Sequence, residues 1–457
     1  MLDILPVKTK GEYPAAIEHW RALEQAFVSH VARYGFAEIR TPLLEYTELF
    51  SRSIGETTDV VEKEMYAFER HRDHLCLRPE GTASAARAYV QHSAYAQEPV
   101  SRWYYLGPMF RAERPQRGRY RQFHQAGGEI FGDAGPAVDA ELIEMLVSLF
   151  QSLGIEGVTV HLNSLGGDAS RARYREALLA YLTPLKSQLS EDSQRRLEKN
   201  PLRVLDSKAP EDQAALAHAP RLGSCLSEED AAHFAGVQRY LEALGVPFVI
   251  DPTLVRGLDY YNRTLFELKA TGGELGAQNT LCGGGRYDSM VKGLGGPEVP
   301  AIGFAIGLER ILLTLGERAL EAPPRVFVAP LGEAATARAL RLGRELRQAG
   351  VHTDVDARGN SLKSMLRRAS GLGARFVLVL GESELARGVV QLKDFGAPSE
   401  AQLSSGQQRQ ARGAADPRDA GQARGAPSEG DRGVGSPPEV PLDDVVHLVA
   451  RAIGAAS

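Results

Sequence analysis

Cysteine is scarce in this chain. Its 457 residues include three, Cys76, Cys225 and Cys282, far apart and with no C-x-x-C pair. That spacing argues against both a disulfide framework and a zinc knuckle. Long apolar runs are missing as well. No stretch approaches the length of a membrane-spanning helix, and the opening MLDILPVKTKGEYP lacks the apolar centre of a secretion signal. A soluble, cytoplasmic protein with no membrane partner is the expectation. Neither charge is in large excess. The formal net charge is -5, so any contact with a polyanion has to come from local basic patches and not from the overall field. Glycine-rich phosphate loops are absent too. There is no G-x-x-x-x-G-K-[ST] stretch, and Gly283, Gly284 and Gly285 lack the G-x-G-x-x-G spacing and its helix. A bound phosphate would need arginine side chains instead.

What the chain does contain centres on Trp103–Gly132, WYYLGPMFRAERPQRGRYRQFHQAGGEIFG. Two extended runs flank a short basic loop, and a strand puts every second side chain on one face. The outgoing run places Arg111 and Glu113 together. The return run aligns Arg121, Phe123, Gln125, Gly127 and Glu129. Such a face makes a poor core and suits an anionic, partly aromatic ligand. Arginine forks grip phosphate, a phenyl ring stacks on a base, and Gly127 leaves room above the sheet. A cross-strand ion-pair ladder on a solvated sheet stays open as the plainer reading.

The remaining chain supplies a frame. Trp20, Leu23, Phe27, Val31 and Tyr34 recur at helical spacing, and Gly35 stops the run. FAEIRTPLLEYTELF reads as a strand broken at Pro42, and RPEGT (Arg78–Thr82) follows another short strand. A helix is expected from Asp139 to Gly154, then the strand GVTVHLNSLG, then a charged helical insert over about 168–240. Arg256 and Gly257 sit at a turn, Tyr260 and Tyr261 follow, and Thr264–Leu268 looks like a strand. The three glycines at 283–285 would let a strand approach a substrate closely. Leu308, Ile311, Leu312 and Leu315 form a buried helical stripe with Arg310 beside it. After Pro323–Pro324, strands alternate with helices in a small parallel or mixed α/β domain. Residues 397–438 are rich in Gly, Ala, Ser, Gln, Arg and Pro with no aromatic residue, which predicts disorder. PLDDVVHLVARAIG then resumes as a final helix.

Several of these stretches resemble one family. FRAERPQRGRYRQFHQAGGEIFG is similar to motif 2 of the class II aminoacyl-tRNA synthetases, in the histidyl-tRNA synthetase version. VRGLDYYNRTLFE (Val255–Glu267) and CGGGRYD (Cys282–Asp288) resemble the two signature segments of that family. AIGFAIGLERILL (Ala301–Leu313) resembles motif 3, and the first helix with its following strand resembles motif 1, a dimer interface in this class. The resemblance implies an α+β catalytic domain, residues 1–320, with a mixed, mainly antiparallel sheet flanked by helices. It also implies an anticodon-binding α/β domain over 324–457, where Lys363, Arg367 and Arg368 form either a basic patch or an ordinary solvated helix face.

The resemblance further implies a reaction and its residues. ATP and L-histidine would form histidyl-adenylate, and the histidyl group would pass to tRNA-His. Arg111 would bind the α-phosphate, with Glu113, Phe123 and Arg310 holding ATP and Mg²⁺ accompanying it without a dedicated protein cage. Glu80, Gly81, Thr82 and Gln125 would hold the histidine backbone groups. Glu129 and Tyr261 would take the two imidazole nitrogens, with Tyr260 and Tyr287 lining the pocket. Arg256 would stabilise charge at the carboxylate and α-phosphate, making Arg256 and Arg111 the catalytic pair. Gln116, Arg117, Arg119 and Arg121 would meet the tRNA acceptor end, and the insert its stem, although a charged surface subdomain without RNA contact fits the insert equally. A homodimer is implied. Two rivals share the frame: a synthetase-like regulatory subunit of ATP phosphoribosyltransferase, and a synthetase for another amino acid. The first would lack the C-terminal domain and lose signature residues; the second would not need Glu129 beside paired tyrosines.

Overall fold

The helical spacing near the start produces α1, Ile17–Ala32. It buries Trp20, Leu23, Phe27 and Val31, and Gly35 ends the turn with a left-handed φ of 79°. The computed structural model describes residues 17–55, 58, 60–113, 119–199, 201–207, 209–255, 257–270, 279–316, 325–395 and 438–453. The chain divides into two compact units, Met1–Leu320 and Glu321–Ser457.

In the first unit the expected break at Pro42 separates β1 (Ala37–Glu38) from β2 (Leu44–Tyr46). The strand was expected to continue through Thr47–Phe50. Instead these residues open α2, Thr47–Ile54, because Leu49, Phe50 and Ile54 are buried together on one side of a helix. β3 (Ala67–Arg70) and β4 (Asp73–Leu77) join β2 in a three-stranded sheet, after which α3 (Thr82–Gln91) begins. The hairpin forms as β5 (Ser101–Phe110) and β6 (Gln122–Phe131). Then come α4 (Pro136–Ser152) and β7 (Val158–Ser164).

The insert supplies α5 (Asp168–Leu182), α6 (Glu191–Lys199) and α7 (Pro210–Leu216), with 3₁₀ segments between them. Its small core holds Tyr174, Leu178, Leu182, Leu197 and Val204. α8 (Glu228–Ala243) instead places Val237 and Leu241 in the main core with Leu142, Leu146 and Leu149 of α4. β8 (Phe248–Ile250), β9 (Asn262–Ala270), β10 (Thr280–Arg286), α9 (Met290–Gly293), β11 (Ala301–Gly307) and α10 (Leu308–Leu315) complete the unit.

The large sheet runs β1-β5-β6-β11-β10-β9-β7-β8. Its two outermost pairs are parallel and the rest antiparallel, the mixed sheet that was expected. One face carries α1, α4, α8 and α10 on a core that includes Ala126 and Ile130 of β6. The opposite face of β6 bears Phe123, Gln125, Gly127 and Glu129, so period two sends half of this strand to the core and half to the site.

The second unit is a five-stranded sheet in the order β13-β12-β14-β15-β16. β12 (Arg325–Pro330), β13 (Thr353–Val355) and β14 (Ala374–Leu380) are parallel, joined by α11 (Glu333–Gln348) and α12 (Leu362–Gly371). After α13 (Glu382–Arg387), β15 (Val389–Asp394) and β16 (Glu439–Pro441) add two antiparallel strands, and α14 (Val445–Ala452) follows. The segment for which disorder was predicted, 397–438, lies outside the described residues except for Pro438. Among the described residues no helix is long and apolar enough to cross a membrane.

Candidate active site

Glu129 has no solvent exposure. A carboxylate in that position needs donors, and three hydroxyls supply them. Thr82 Oγ1 donates to Glu129 Oε1 at 2.7 Å, Tyr105 Oη to the same oxygen at 3.0 Å, and Tyr287 Oη to Oε2. Burial dominates all the same and pushes the carboxyl up to about 8, with the Tyr287 hydroxyl the largest opposing influence. Gly303 on the neighbouring strand makes the placement feasible, since a Cβ there would lie 1.6 Å from Glu129 Oε2.

The RPEGT turn closes one side. Glu80 caps α3 by accepting from the backbone amides of Thr82 at 2.7 Å and Ala83 at 2.8 Å. Burial raises its pKa as well. Glu80 therefore reaches the site with its carboxylate already committed to the helix. Tyr105 is the residue that sequence reasoning missed. It pairs with Gly127 across the hairpin, and its ring fills the space above that glycine. A Cβ at Gly127 would lie 2.5 Å from the ring and one at Gly81 2.2 Å from it. The room expected over Gly127 is thus taken by a protein side chain. The signal was present in the sequence, because a tyrosine facing a glycine in a hairpin register has somewhere to go.

Next to this packed cluster, on the same face of β6, lies a cavity of about 230 Å³ lined by Arg111, Glu113, Arg119, Phe123, Gln125, Gly283 and Arg310 among others. The Arg111 guanidinium sits 5.4 Å from the Phe123 ring centroid and donates to the Pro79 carbonyl at 2.9 Å. Glu113 lies 3.8 Å from Arg111 and 3.5 Å from Arg119. Arg310 donates to the Thr280 carbonyl at 3.1 Å. Its pKa is lowered first by burial and then by the charge of Arg119. Three guanidiniums that repel one another around one cavity favour a bound anion. Gln125 Oε1 is buried with no hydrogen-bond partner, so a ligand donor would satisfy it. Arg121 turns aside, its Nε 3.4 Å from the Glu113 carbonyl.

Glu309, also missed, ties the two motifs together. It accepts from the His124 backbone amide at 2.8 Å and sits 3.1 Å from His124 Nδ1. Gly284 does not face a substrate as the sequence suggested. A Cβ there would lie 2.2 Å from the Gly303 carbonyl and 2.5 Å from the Phe266 ring, so its smallness serves packing within the sheet. Gly283 does line the cavity.

Tyr260 links the other two tyrosines of the expected set. The Tyr260 and Tyr261 ring centroids are 4.5 Å apart, and Tyr260 is 5.6 Å from Tyr287. Burial pushes the Tyr105, Tyr260 and Tyr287 hydroxyls well above their usual range. Arg286, next to Tyr287, is wholly buried against Asp139 at 2.7 Å. Arg256, Gln116 and Arg117 lie outside the described residues. Among the described residues no group of three His, Cys, Asp or Glu could hold a metal ion.

Comparison with known proteins covers most of the chain. The family described as Histidyl-tRNA synthetase matches residues 10–311, and the one described as Anticodon binding domain matches residues 325–408. The histidine–tRNA ligase of Sorangium cellulosum is 59% identical over 384 residues, 84% of this chain and 90% of that protein. That of Streptococcus uberis is 47% identical over 407 residues, 87% of this chain and 95% of that protein. The crystal structure of apo S. aureus histidyl-tRNA synthetase aligns with a TM-score of 0.71 at 33% identity, covering 97% of this chain and 98% of that one. With a carboxylate caged by hydroxyls beside an arginine-lined cavity, and relatives of this identity along nearly its whole length, the chain belongs to the histidyl-tRNA synthetase family.

Proposed function

We infer that the chain is an ATP-dependent histidine–tRNA ligase: it joins L-histidine to ATP as histidyl-adenylate, releases pyrophosphate, and transfers the histidyl group to tRNA-His. The observation that carries this reading is Glu129, a buried carboxyl oriented by three hydroxyls, whose oxygens can accept from an imidazole N–H. Tyr261, 5% exposed, is the partner for the second ring nitrogen, and Tyr260 and Tyr287 wall the ring. Glu80, Gly81, Thr82 and Gln125 take the α-amino and carboxylate end.

ATP is assigned to the arginine-lined cavity, with Arg111 on the α-phosphate and Phe123 and Arg310 flanking the base. As the carboxylate attacks, charge builds on the phosphate oxygens. Fixed guanidiniums stabilise that charge without moving, and each such donor contributes about 3–4 kcal/mol. Arg256 is assigned to this role beside Arg111. Mg²⁺ enters with ATP, bound by phosphates and water as is usual for this ion. Arg119 and Arg121, with Gln116 and Arg117, are assigned to the acceptor end of the tRNA. The protein is read as soluble and cytoplasmic.

A homodimer is supported by one apolar face of the small sheet. Leu44, Tyr46 and Phe68 are 48, 60 and 45% exposed, and Tyr46 and Phe68 both pair with Leu75. The C-terminal unit speaks against a regulatory subunit that lacks one. Pyrophosphate exchange with each of the twenty amino acids tests the assignment. Exchange with histidine alone is the expected result, and exchange with any other amino acid but not histidine would overturn it.

A further inference from the structure

The segment that delivers Tyr260 and Tyr261 to the pocket is gripped by the helical insert. Arg203 lies on the 3₁₀ segment Pro201–Asp206. Its Nη2 donates to the Gly257 carbonyl at 2.8 Å, and its Nε and Nη2 reach Asp259 Oδ1 at 3.2 and 2.9 Å. Arg171 of α5 donates to the Asp259 carbonyl at 3.3 Å. On the catalytic side, the Asp259 amide donates to the Ile54 carbonyl at the end of α2, at 2.9 Å. Gly257–Asp259 is therefore bonded to both the insert and the catalytic body.

Two details make Arg203 more than a surface contact. Its side chain is 12% exposed and that of Asp259 28%, so their ion pair is partly buried and less screened than one on the open surface. Its neighbour Val204 is fully buried in the insert core. Close by, Ser207 donates to Asp212 Oδ2 at 2.5 Å, and Asp212 also accepts from Ser190 and Ser193. Arg203 thus moves with the insert. Downstream, Tyr260 contacts Tyr287, whose hydroxyl reaches Glu129.

We propose that Arg203 is a positioning residue for histidine activation: through Gly257 and Asp259 it sets where Tyr260 and Tyr261 stand in the imidazole pocket. A docked insert, by this route, is a condition for tight histidine binding. One fork bonds a backbone carbonyl and a carboxylate at once, a pattern that lysine's single ammonium cannot reproduce.

The inference rests on Glu129 marking the histidine site, and the test separates the two. Pyrophosphate exchange is measured on the full chain for Arg203→Ala, Arg203→Lys, Asp259→Ala, the Arg203→Ala/Asp259→Ala double variant, and Glu129→Gln, with circular dichroism confirming that each is folded. Displacement of binding groups by ~1 Å costs up to about 100-fold, so Arg203→Ala should raise the KM for histidine about 10-fold or more. The KM for ATP should stay within about 2-fold, since the ATP cavity is built on other strands. Lysine should rescue poorly, and the double variant should be no worse than the worse single one, as for two halves of one contact. A folded Arg203→Ala with an unchanged histidine KM, or with both KM values raised alike, overturns the proposal. Additive losses in the double variant overturn it too. If Glu129→Gln also leaves the histidine KM untouched, the pocket assignment fails and takes the proposal with it.

Discussion

Replacing Glu129 by glutamine separates a residue kept for its ligand from one kept for its fold. The carboxyl has no exposure, and burial raises it from 4.5 to about 8. At pH 7, holding it in the folded state costs on the order of 3 kcal/mol, ~1.4 kcal/mol for each pH unit between 4.5 and 7. A raised carboxyl is harmless below its unfolded value and becomes a growing burden as pH climbs toward its folded one. Glutamine has the same shape and never ionises. The variant should therefore match the parent protein near pH 4.5, gain on it through neutrality, and hold a constant advantage above about pH 8. Histidine activation should move the other way. A site built around polar contacts to its ligand loses about 10³–10⁴-fold when one contact goes wrong, or ~4–5.5 kcal/mol in kcat/KM. Urea unfolding at several pH values and pyrophosphate exchange at saturating ATP measure the two sides. A Glu129→Gln protein that is clearly less stable at pH 7.5 would mark the carboxylate as a structural keystone. A near-native histidine KM would refute the pocket outright.

Three further outcomes are expected. Gly127→Ala should cost about 1–3 kcal/mol by overpacking and raise the histidine KM, because the Tyr105 ring is already wedged against Gly81 and cannot retreat; thermal melting and exchange assays check both. Arg286→Met should destabilise the first unit by about 3–5 kcal/mol, since it strands the buried charge of Asp139, while Arg286→Met combined with Asp139→Leu should recover much of that loss in urea titrations. Phe68→Glu should shift the protein from dimer toward monomer in sedimentation, with the far-ultraviolet spectrum unchanged; an unaltered sedimentation coefficient would remove the small sheet from the interface.

The hairpin was readable in the sequence because alternation along ten-residue strands leaves little choice of face, and because a face of Arg111, Phe123, Gln125 and Glu129 is useless as core. The same alternation concealed Tyr105, which reads like any aromatic on a half-buried strand until the register sets it against Gly127. Arg203 was beyond reach for a different reason. Its partner Asp259 lies 56 residues away, and no periodicity links a 3₁₀ segment to a distant turn. The sequence of α2 reads as strand because Pro42 and the β-branched and aromatic residues around it favour extension locally, whereas burial of Leu49, Phe50 and Ile54 decides for helix. In the second unit, β15 and β16 close the sheet from either side of the segment poor in core-forming residues, so β16 carries only three residues of signal.

The seat of Tyr105 bears on redesign. The wall of the pocket at that point is a removable ring resting on two residues that have no side chain of their own, and not main chain. Shortening Tyr105 would therefore open space directly beside Glu129 without bending either strand, and a bulkier analogue of the amino acid could grow into it. Enlarging Gly81 or Gly127 offers no such latitude, since both already touch the ring. Tolerance at this site is lopsided: the pocket can be widened by a single exchange, but narrowing it requires at least two made together.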